Sequence, residues 1–175
     1  MGRPVAPPEG ITVRPIGPDD HDALGTFYAG LSDESLWSRF HGVAHGISDG
    51  TATVFCGPDH EHREGFVAIA GADRHAAPEI VGHLCLEPVA PDEVEMAVAV
   101  ADRWQGRGVG RALLATAIAW ARGHHVARLQ ASMLTTNSAI LGLLRSAELP
   151  TRISAPRAGV VTATLDLPPV LSTAA

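Results

Sequence analysis

Apolar and polar residues alternate in two of the strands predicted for this chain of 175 residues, 11–16 and 93–101. Successive side chains of a strand point to opposite faces of its sheet, so a period of two indicates a strand with two different faces. The clearest case is the segment 93–101, where one face carries only apolar side chains, namely Val94, Met96, Val98 and Val100. With turn residues as boundaries, the predicted strands are 11–16, 66–72, 80–87, 93–101, 127–134 and 159–167.

A period near 3.6 residues predicts four helices between these strands. The first follows a cap at Asp19 and runs to about Gly30, and the second follows a cap at Ser32, with acidic residues in its first turn. The third runs from a glycine-rich turn to about Arg122, and the fourth covers residues 137–147. In the second helix, the side chains predicted to point inward are Leu36, Phe40 and Trp37.

The order of these elements indicates an α/β (α+β) fold in which helices pack against a mixed sheet. The length suits one domain, which we expect to cover residues 11–167, with a flexible leader at 1–10 and a flexible tail at 168–175. Residues 42–65 are polar and rich in histidine, so a loop with one short helix is predicted there. The predicted turns are residues 73–78 and 88–92.

The net charge of the chain indicates which classes of molecule it can bind. Its formal net charge is −6, which argues against a nucleic-acid partner and suits a cationic one such as an amine. All thirteen basic residues are arginine, so the chain has no lysine. No apolar run approaches the roughly 20 residues of a membrane span, and the first ten residues lack the apolar stretch of a secretory signal. We therefore expect a cytoplasmic protein without a membrane partner.

Neither the cysteines nor the histidines are spaced as a metal site requires. Cys56 and Cys85 are too few for a disulfide framework, and a structural role as buried or half-buried thiols is predicted. The histidines at 59–62 and at 124–125 lie in predicted turns, where adjacent residues rarely converge on one ion. We predict solvated loops there and no metal.

The segment 105–110 carries the clearest candidate chemistry. Gly106, Gly108 and Gly110 allow a tight turn and a close approach of the backbone to a ligand. The turn leads into the N-terminus of a helix, a place that binds phosphate groups, and Arg107 and Arg111 can add charged contacts. The glycine spacing is not the Rossmann pattern, and a chain without lysine cannot form a P-loop. A pyrophosphate-bearing cofactor is indicated, the alternative being a strand-to-helix connection that is rich in glycine for steric reasons.

The sequence Gln105-Gly-Arg-Gly-Val-Gly110 resembles the Q/R-x-x-G-x-G/A signature of the GNAT acyltransferase superfamily. The similarity extends over 11–167 and implies a mixed, mostly antiparallel sheet of six to seven strands flanked by about four helices. It also implies acetyl-CoA as the acyl donor, held between the splayed strands 93–101 and 127–134. The cofactor-binding residues that it implies are Val98, Ala99, Val100, Gln105, Gly106, Arg107, Gly108, Val109, Gly110, Arg111 and Asn137.

A second segment, residues 31–40, narrows the resemblance. Its sequence LSDESLWSRF is similar to the L-S-x-E-S-x-Y/W-x-R-F segment of the single-domain Pat-type bacterial protein lysine acetyltransferases, which modify acyl-CoA synthetases. The resemblance implies a wall of the acceptor site formed by Ser35, Trp37, Arg39 and Phe40. The alternative is a capped amphipathic helix with no further role.

Transfer to an amine requires a base, because an alkyl ammonium has a pKa of about 10. Glu95, in the strand before the glycine turn, is the candidate, and a Glu at the matching position is regarded as the base in Pat-type enzymes. Glu93 lies on the same face and is the reserve. A backbone amide near Val100 is expected to meet the oxyanion.

The chain departs from the family at the group that protonates the leaving thiolate. Many GNAT enzymes use a tyrosine at the position of Leu144, and the only tyrosine here, Tyr28, lies in the first predicted helix. We therefore expect either water as the acid or departure of the thiolate as the anion.

Three functions remain open from the sequence. The first is acetyl transfer to a protein lysine, the second is acetyl transfer to a small amine, and the third is a non-catalytic acyl-CoA sensor. The oligomeric state is expected to be a monomer or a homodimer.

Overall fold

The computed structural model describes residues 6–42, 44–71 and 78–168. Within these residues it contains seven strands and five α-helices. The strands are β1 (Ile11–Pro15), β2 (Glu64–Ala70), β3 (Glu79–Ala90), β4 (Glu93–Val100), β5 (Arg128–Leu134), β6 (Thr151–Ile153) and β7 (Val160–Asp166). The helices are α1 (His21–Ala29), α2 (Asp33–Phe40), α3 (Asp49–Phe55), α4 (Val109–Gly123) and α5 (Ser138–Arg145).

The seven strands form one sheet in the order β1-β2-β3-β4-β5-β7-β6. Neighbouring strands are antiparallel except β4 and β5, which are parallel. The prediction of a mixed, mostly antiparallel sheet of six to seven strands is confirmed. The short helix predicted within residues 42–65 is α3, which brings the count to five helices rather than about four.

The two main differences from the predicted elements are a strand end and a missed strand. Residues 88–92 were predicted to be a turn, but β3 continues to Ala90. Its register with β4 shifts between Pro88 and Ala90, and such an irregularity accommodates a proline, which has no N–H to donate to the ladder. The second difference is β6, which has only three residues, too few for a period to be recognised.

The helices cover both faces of the sheet. Helices α4 and α5 pack on one face, over a core that contains Leu84, Leu113 and Leu129. Helices α1 and α2 pack on the other face, over a core that contains Leu24 and Tyr28. Each face of the sheet is thus buried by its own helices.

Gly82 of β3 brings α4 close to the sheet. A Cβ atom at this position would lie 2.9 Å from Leu113 Cδ1 and 3.1 Å from Val109 Cγ1, closer than ordinary carbon contacts. The sheet and the first turns of α4 therefore pack tightly where α4 leaves the glycine-rich turn.

Helix α2 is capped as predicted, since the Ser32 side chain accepts a hydrogen bond from the Ser35 amide. Leu36 is buried and Phe40 packs against the second core, but Trp37 is 46% exposed. The prediction of an inward Trp37 is wrong. A helix turns by 100° per residue, so the neighbour of the buried Leu36 points away from the core.

Cys56 and Cys85 are both buried free thiols, as predicted. No described helix is long and apolar enough to cross a membrane. Parts of three predicted segments lie outside the described residues. They are residues 1–5 of the leader, residues 72–77 in and before the predicted turn, and residues 169–175 of the tail.

Candidate active site

The sheet opens between β4 and β5. These strands are paired only where Glu93–Glu95 face 128–130, whereas β3 and β4 remain paired as far as Val100. A cavity of about 520 Å³ lies beside the unpaired part of β4. Its walls come from β4, the glycine-rich turn, α2 and α5. The splaying implied by the family resemblance is therefore present.

The unpaired half of β4 presents backbone groups to this opening. The Ala101 amide donates to the Val81 carbonyl, so the odd-numbered residues at this end of β4 pair with β3. Backbone groups alternate in direction along an antiparallel strand, and those of Val98 and Val100 therefore turn toward β5. Both residues line the cavity. They can hydrogen-bond an extended ligand that takes the place of a strand.

The segment Gln105–Gly110, which we call the cofactor turn, closes one end of the cavity. Gly106 and Gly108 have φ values of +70° and +90°, which side-chain-bearing residues rarely adopt. Helix α4 begins directly after Gly108, so its first amide groups have no partner within the helix. This arrangement can hold a diphosphate.

The predicted cofactor residues divide into those that reach the cavity and those that do not. The Val109 side chain is buried against the sheet near Gly82, and the guanidinium of Arg107 lies over the Trp104 ring at 5.5 Å. Neither residue lines the cavity. The predicted residues that do so are Val98, Ala99, Val100, Gln105, Gly106, Gly108, Gly110, Arg111 and Asn137.

Helix α5 forms the wall on the β5 side. Asn137 caps this helix, since its Oδ1 atom accepts a hydrogen bond from the Ile140 amide at 3.1 Å. Ile140 and Leu143 add apolar lining that the sequence analysis did not assign. The helical period of 138–145 predicts which side chains share an apolar face. It does not predict that this face borders a cavity.

Helix α2 forms the opposite wall through Glu34, Ser35, Ser38 and Arg39, a group that we call the α2 wall. Of the residues predicted for acceptor binding, Ser35 and Arg39 line the cavity, whereas Trp37 and Phe40 do not. Arg39 also extends beneath the cavity, where it donates to Cys85 Sγ at 3.2 Å. Its guanidinium lies 5.0 Å from the centre of the Phe40 ring.

Glu95 lies where β4 and β5 stop pairing. Ser132, across the opening on β5, donates a hydrogen bond to Glu95 Oε1 at 2.7 Å. Glu93 is one pleat earlier and accepts a hydrogen bond from Arg128 Nε at 3.1 Å, so its carboxylate is already paired with a cation. The two candidate bases therefore differ in their partners: a hydroxyl for Glu95 and a guanidinium for Glu93.

The only tyrosine of the chain is buried away from the cavity. The Tyr28 hydroxyl lies 2.9 Å from His83 Nδ1, and both side chains are fully buried. Burial raises the pKa of Tyr28 to about 12 and, with the nearby charge of Arg39, lowers the pKa of His83 to about 3. Leu144, at the position where related enzymes have a tyrosine, is fully buried in the core.

Asp102 is a polar residue of the cavity that the sequence analysis missed. It directly precedes the cofactor turn, and an acidic residue beside a predicted phosphate site was the available signal. Its carboxylate accepts hydrogen bonds from Ser32, the cap of α2, and from Ser35 in the first turn of α2. Among the described residues, no group of three or more His, Cys, Asp or Glu side chains could hold a metal ion.

Comparison with known proteins identifies a matching family and several similar structures. The sequence profile of the acetyltransferase (GNAT) family matches residues 33–146. The GNAT domain of Streptomyces lividans PAT is 32% identical, with a TM-score of 0.79 over 89% of both chains. YncA of Salmonella typhimurium, solved with its cofactor acetyl-CoA, is 18% identical, with a TM-score of 0.75 over 95% of this chain and 99% of that one.

A larger protein contains the same fold. The cAMP-binding acyltransferase of Mycobacterium smegmatis is 24% identical, with a TM-score of 0.60 over 93% of this chain and 45% of that one. At this identity the likeness concerns the fold alone.

Proposed function

The chain belongs to the GNAT family and is an acetyl-CoA-dependent N-acyltransferase, and from this premise we propose that its acceptor is the side-chain amine of a protein lysine. The observation that carries the proposal is the 32% identity with the GNAT domain of S. lividans PAT over 89% of both chains. The Pat-like segment 31–40 supports it, because this segment supplies one wall of the cavity.

Acetyl-CoA supplies the acetyl group as a thioester. On our proposal, the amides of the cofactor turn and of the first turn of α4 bind its diphosphate, and Arg111 adds a positive charge. The backbone groups of Val98 and Val100 bind the extended arm at the opening of the sheet. We also propose that an amide near Val100 stabilises the oxyanion, because a fixed backbone donor requires no reorganisation during the reaction.

The acceptor amine must lose a proton before it can attack. We propose Glu95 as the base, since it lies at the start of the opening and its bonded partner is neutral. Glu93 is the weaker candidate because Arg128 holds its carboxylate. A carboxylate at this place also attracts the ammonium form of the acceptor.

The α2 wall is the proposed contact for the acceptor. Ser35 and Arg39 are on the cavity side, and Trp37 presents 46% of its surface to solvent on the same helix. An exposed tryptophan is available to a protein acceptor, whereas a small amine inside the cavity would not reach it. The leaving thiolate has no tyrosine to protonate it, so water is the proposed acid.

The test is to incubate the enzyme with acetyl-CoA and either an acyl-CoA synthetase or a set of small amines. We expect thiol release and acetyl-lysine, identified by mass spectrometry, only with the synthetase. The matched control is a synthetase whose active-site lysine is replaced by arginine, which keeps the charge but has no amine of suitable pKa.

Each other result has a defined meaning. Turnover of small amines without turnover of the synthetase would reject the lysine proposal in favour of a small-amine acetyltransferase. Binding of acetyl-CoA with no transfer to any acceptor would favour the non-catalytic sensor.

A further inference from the structure

Asp102 joins two walls of the cavity that are distant in sequence. It lies in a short 3-10 turn, Asp102–Trp104, between β4 and the cofactor turn. Its Oδ1 atom accepts hydrogen bonds from Ser32 Oγ at 2.6 Å and from Ser35 Oγ at 2.8 Å. Its Oδ2 atom accepts a hydrogen bond from the Ser32 amide at 3.0 Å. We call Ser32, Ser35 and Asp102 the serine–aspartate clamp.

Gln105 extends the clamp to the strand that borders the opening. Its Nε2 atom donates to Ser35 Oγ and to the Val100 carbonyl, both at 3.1 Å. Hydrogen bonds thus run without interruption from the N-terminus of α2, through the first residue of the cofactor turn, to the end of β4. All of these residues except Ser32 line the cavity.

The charge of Asp102 suits this role. A carboxylate at the N-terminus of a helix is stabilised by the amide dipoles of its first turn. Hydrogen bonds from Ser32 and Ser35 outweigh the effect of burial and hold the pKa of Asp102 below its ordinary value. The residue is therefore ionised at neutral pH and directed toward α2 instead of the diphosphate site.

We propose that Asp102 is a positioning residue which couples the α2 wall to the cofactor turn, so that binding of CoA at the turn orders the acceptor side of the cavity. The proposal rests on the proposed function in two respects: α2 as the acceptor wall, and the cofactor turn as the place where CoA binds. Ligand binding to one end of a hydrogen-bonded connection stabilises the other end when the connection has to be formed for tight binding.

The test is hydrogen exchange of the amides in 33–40, with and without CoA as the only ligand. In the wild type we expect CoA to slow this exchange by about tenfold. Exchange requires α2 to open, and bound CoA adds the coupling free energy to the free energy of that opening. In Asp102→Ala we expect faster exchange of α2 and loss of most of the CoA effect at saturating CoA, with an affinity for CoA about tenfold below that of the wild type, because the coupling is reciprocal.

Two further variants make the test specific. Asp102→Asn keeps one acceptor oxygen and should retain part of the CoA effect. Arg103→Ala is the matched control, because Arg103 is the next residue of the same turn but pairs with the exposed Glu79. It should behave like the wild type.

Retention of the full CoA effect in Asp102→Ala would overturn the proposal. If that variant does not fold, Ser35→Ala replaces it, since it removes the hydroxyl between Asp102 and Gln105 and leaves the Asp102 carboxylate and the Gln105 amide in place. A full CoA effect in folded Ser35→Ala would also overturn the proposal. Because no acceptor is used, failure of lysine acetylation would leave this result unaffected.

Discussion

The two faces of the sheet are built from different kinds of side chain. The core under α4 and α5 is built mainly from apolar residues such as Leu84, Leu113 and Met133. The side covered by α1, α2 and α3 buries polar groups, including His83, and brings Arg39 against Cys85.

The difference separates a face that is stabilised mainly by apolar burial from one that also buries polar side chains. An apolar core is stabilised mainly by the removal of apolar surface from water, and an unpaired ionisable group in it is costly. Buried polar groups cost desolvation energy and are retained mainly where chemistry or recognition needs them. Glu95 projects to the polar face, since the residues of β4 that share its alternation include Ala99 of the second core.

The largest expected effect is a loss of folding stability when a buried side chain of the apolar face is shortened. Leu113 is fully buried between α4 and β3, so Leu113→Ala should lower the free energy of unfolding by about 3 kcal/mol. Urea unfolding would measure this change. The control is Val89→Ala, whose side chain is 48% exposed and whose loss should cost under about 0.5 kcal/mol. A loss below about 1 kcal/mol for Leu113→Ala would contradict the assignment of this face to stability.

The next effect concerns activity and belongs to the polar face. Glu95→Gln should lower kcat by about 100-fold, because the amide cannot take the proton of the amine. The affinity for CoA and the free energy of unfolding should remain near those of the wild type. Steady-state kinetics and calorimetry would measure these quantities.

Glu93→Gln is the matched control for this prediction. The two residues share a strand and a face, but only Glu93 is paired with Arg128. It should retain most of the activity. Equal losses in both variants would show that negative charge on this face, rather than a base at Glu95, supports the reaction.

The smallest expected effect is a change in the pH dependence of stability. The pKa of His83 is about 3 in the folded protein because burial disfavours the charged ring, so the unfolded chain binds more protons between pH 3 and about 6.5. The stability that depends on a neutral His83 is therefore fully present above pH 6.5 and is lost as the pH falls toward 3. His83→Gln cannot titrate but can still bond Tyr28.

Urea unfolding between pH 6.5 and 5 would measure this slope. We expect it to be shallower in His83→Gln than in the wild type by about 1 kcal/mol per pH unit. His45→Gln is the control, since His45 is exposed, and it should keep the wild-type slope. An unchanged slope in His83→Gln would mean that the ring is not held neutral.

Local patterns predicted most of the sheet and one end of the site. The alternation of Val94 and Met96 correctly assigned the buried face of β4, and the glycines at 106 and 108 marked a turn that does adopt left-handed conformations. Both are properties of short segments, in which a residue's neighbours in sequence are also its neighbours in space. The outward position of Trp37 was missed because apolar character alone does not define a buried face.

The contacts that connect the site could not be predicted in this way. Ser35 and Asp102 are 67 positions apart, and Tyr28 and His83 are 55 positions apart. Serine, aspartate and histidine have many possible partners, and the choice among them depends on which strands become neighbours. The contact of Ser132 with Glu95 likewise requires β5 to lie beside β4 and then to separate from it.

The sequence by itself determined six of the seven described strands, the helices and the left-handed turn at 106–108, because periodicity and glycine content act over a few residues. Only the tertiary structure decided that the sheet opens after Glu95, that α2 and α5 face each other across the opening, and that Asp102 is directed toward α2. These features depend on long-range packing, in which the position of each side chain is set by elements far away in the chain.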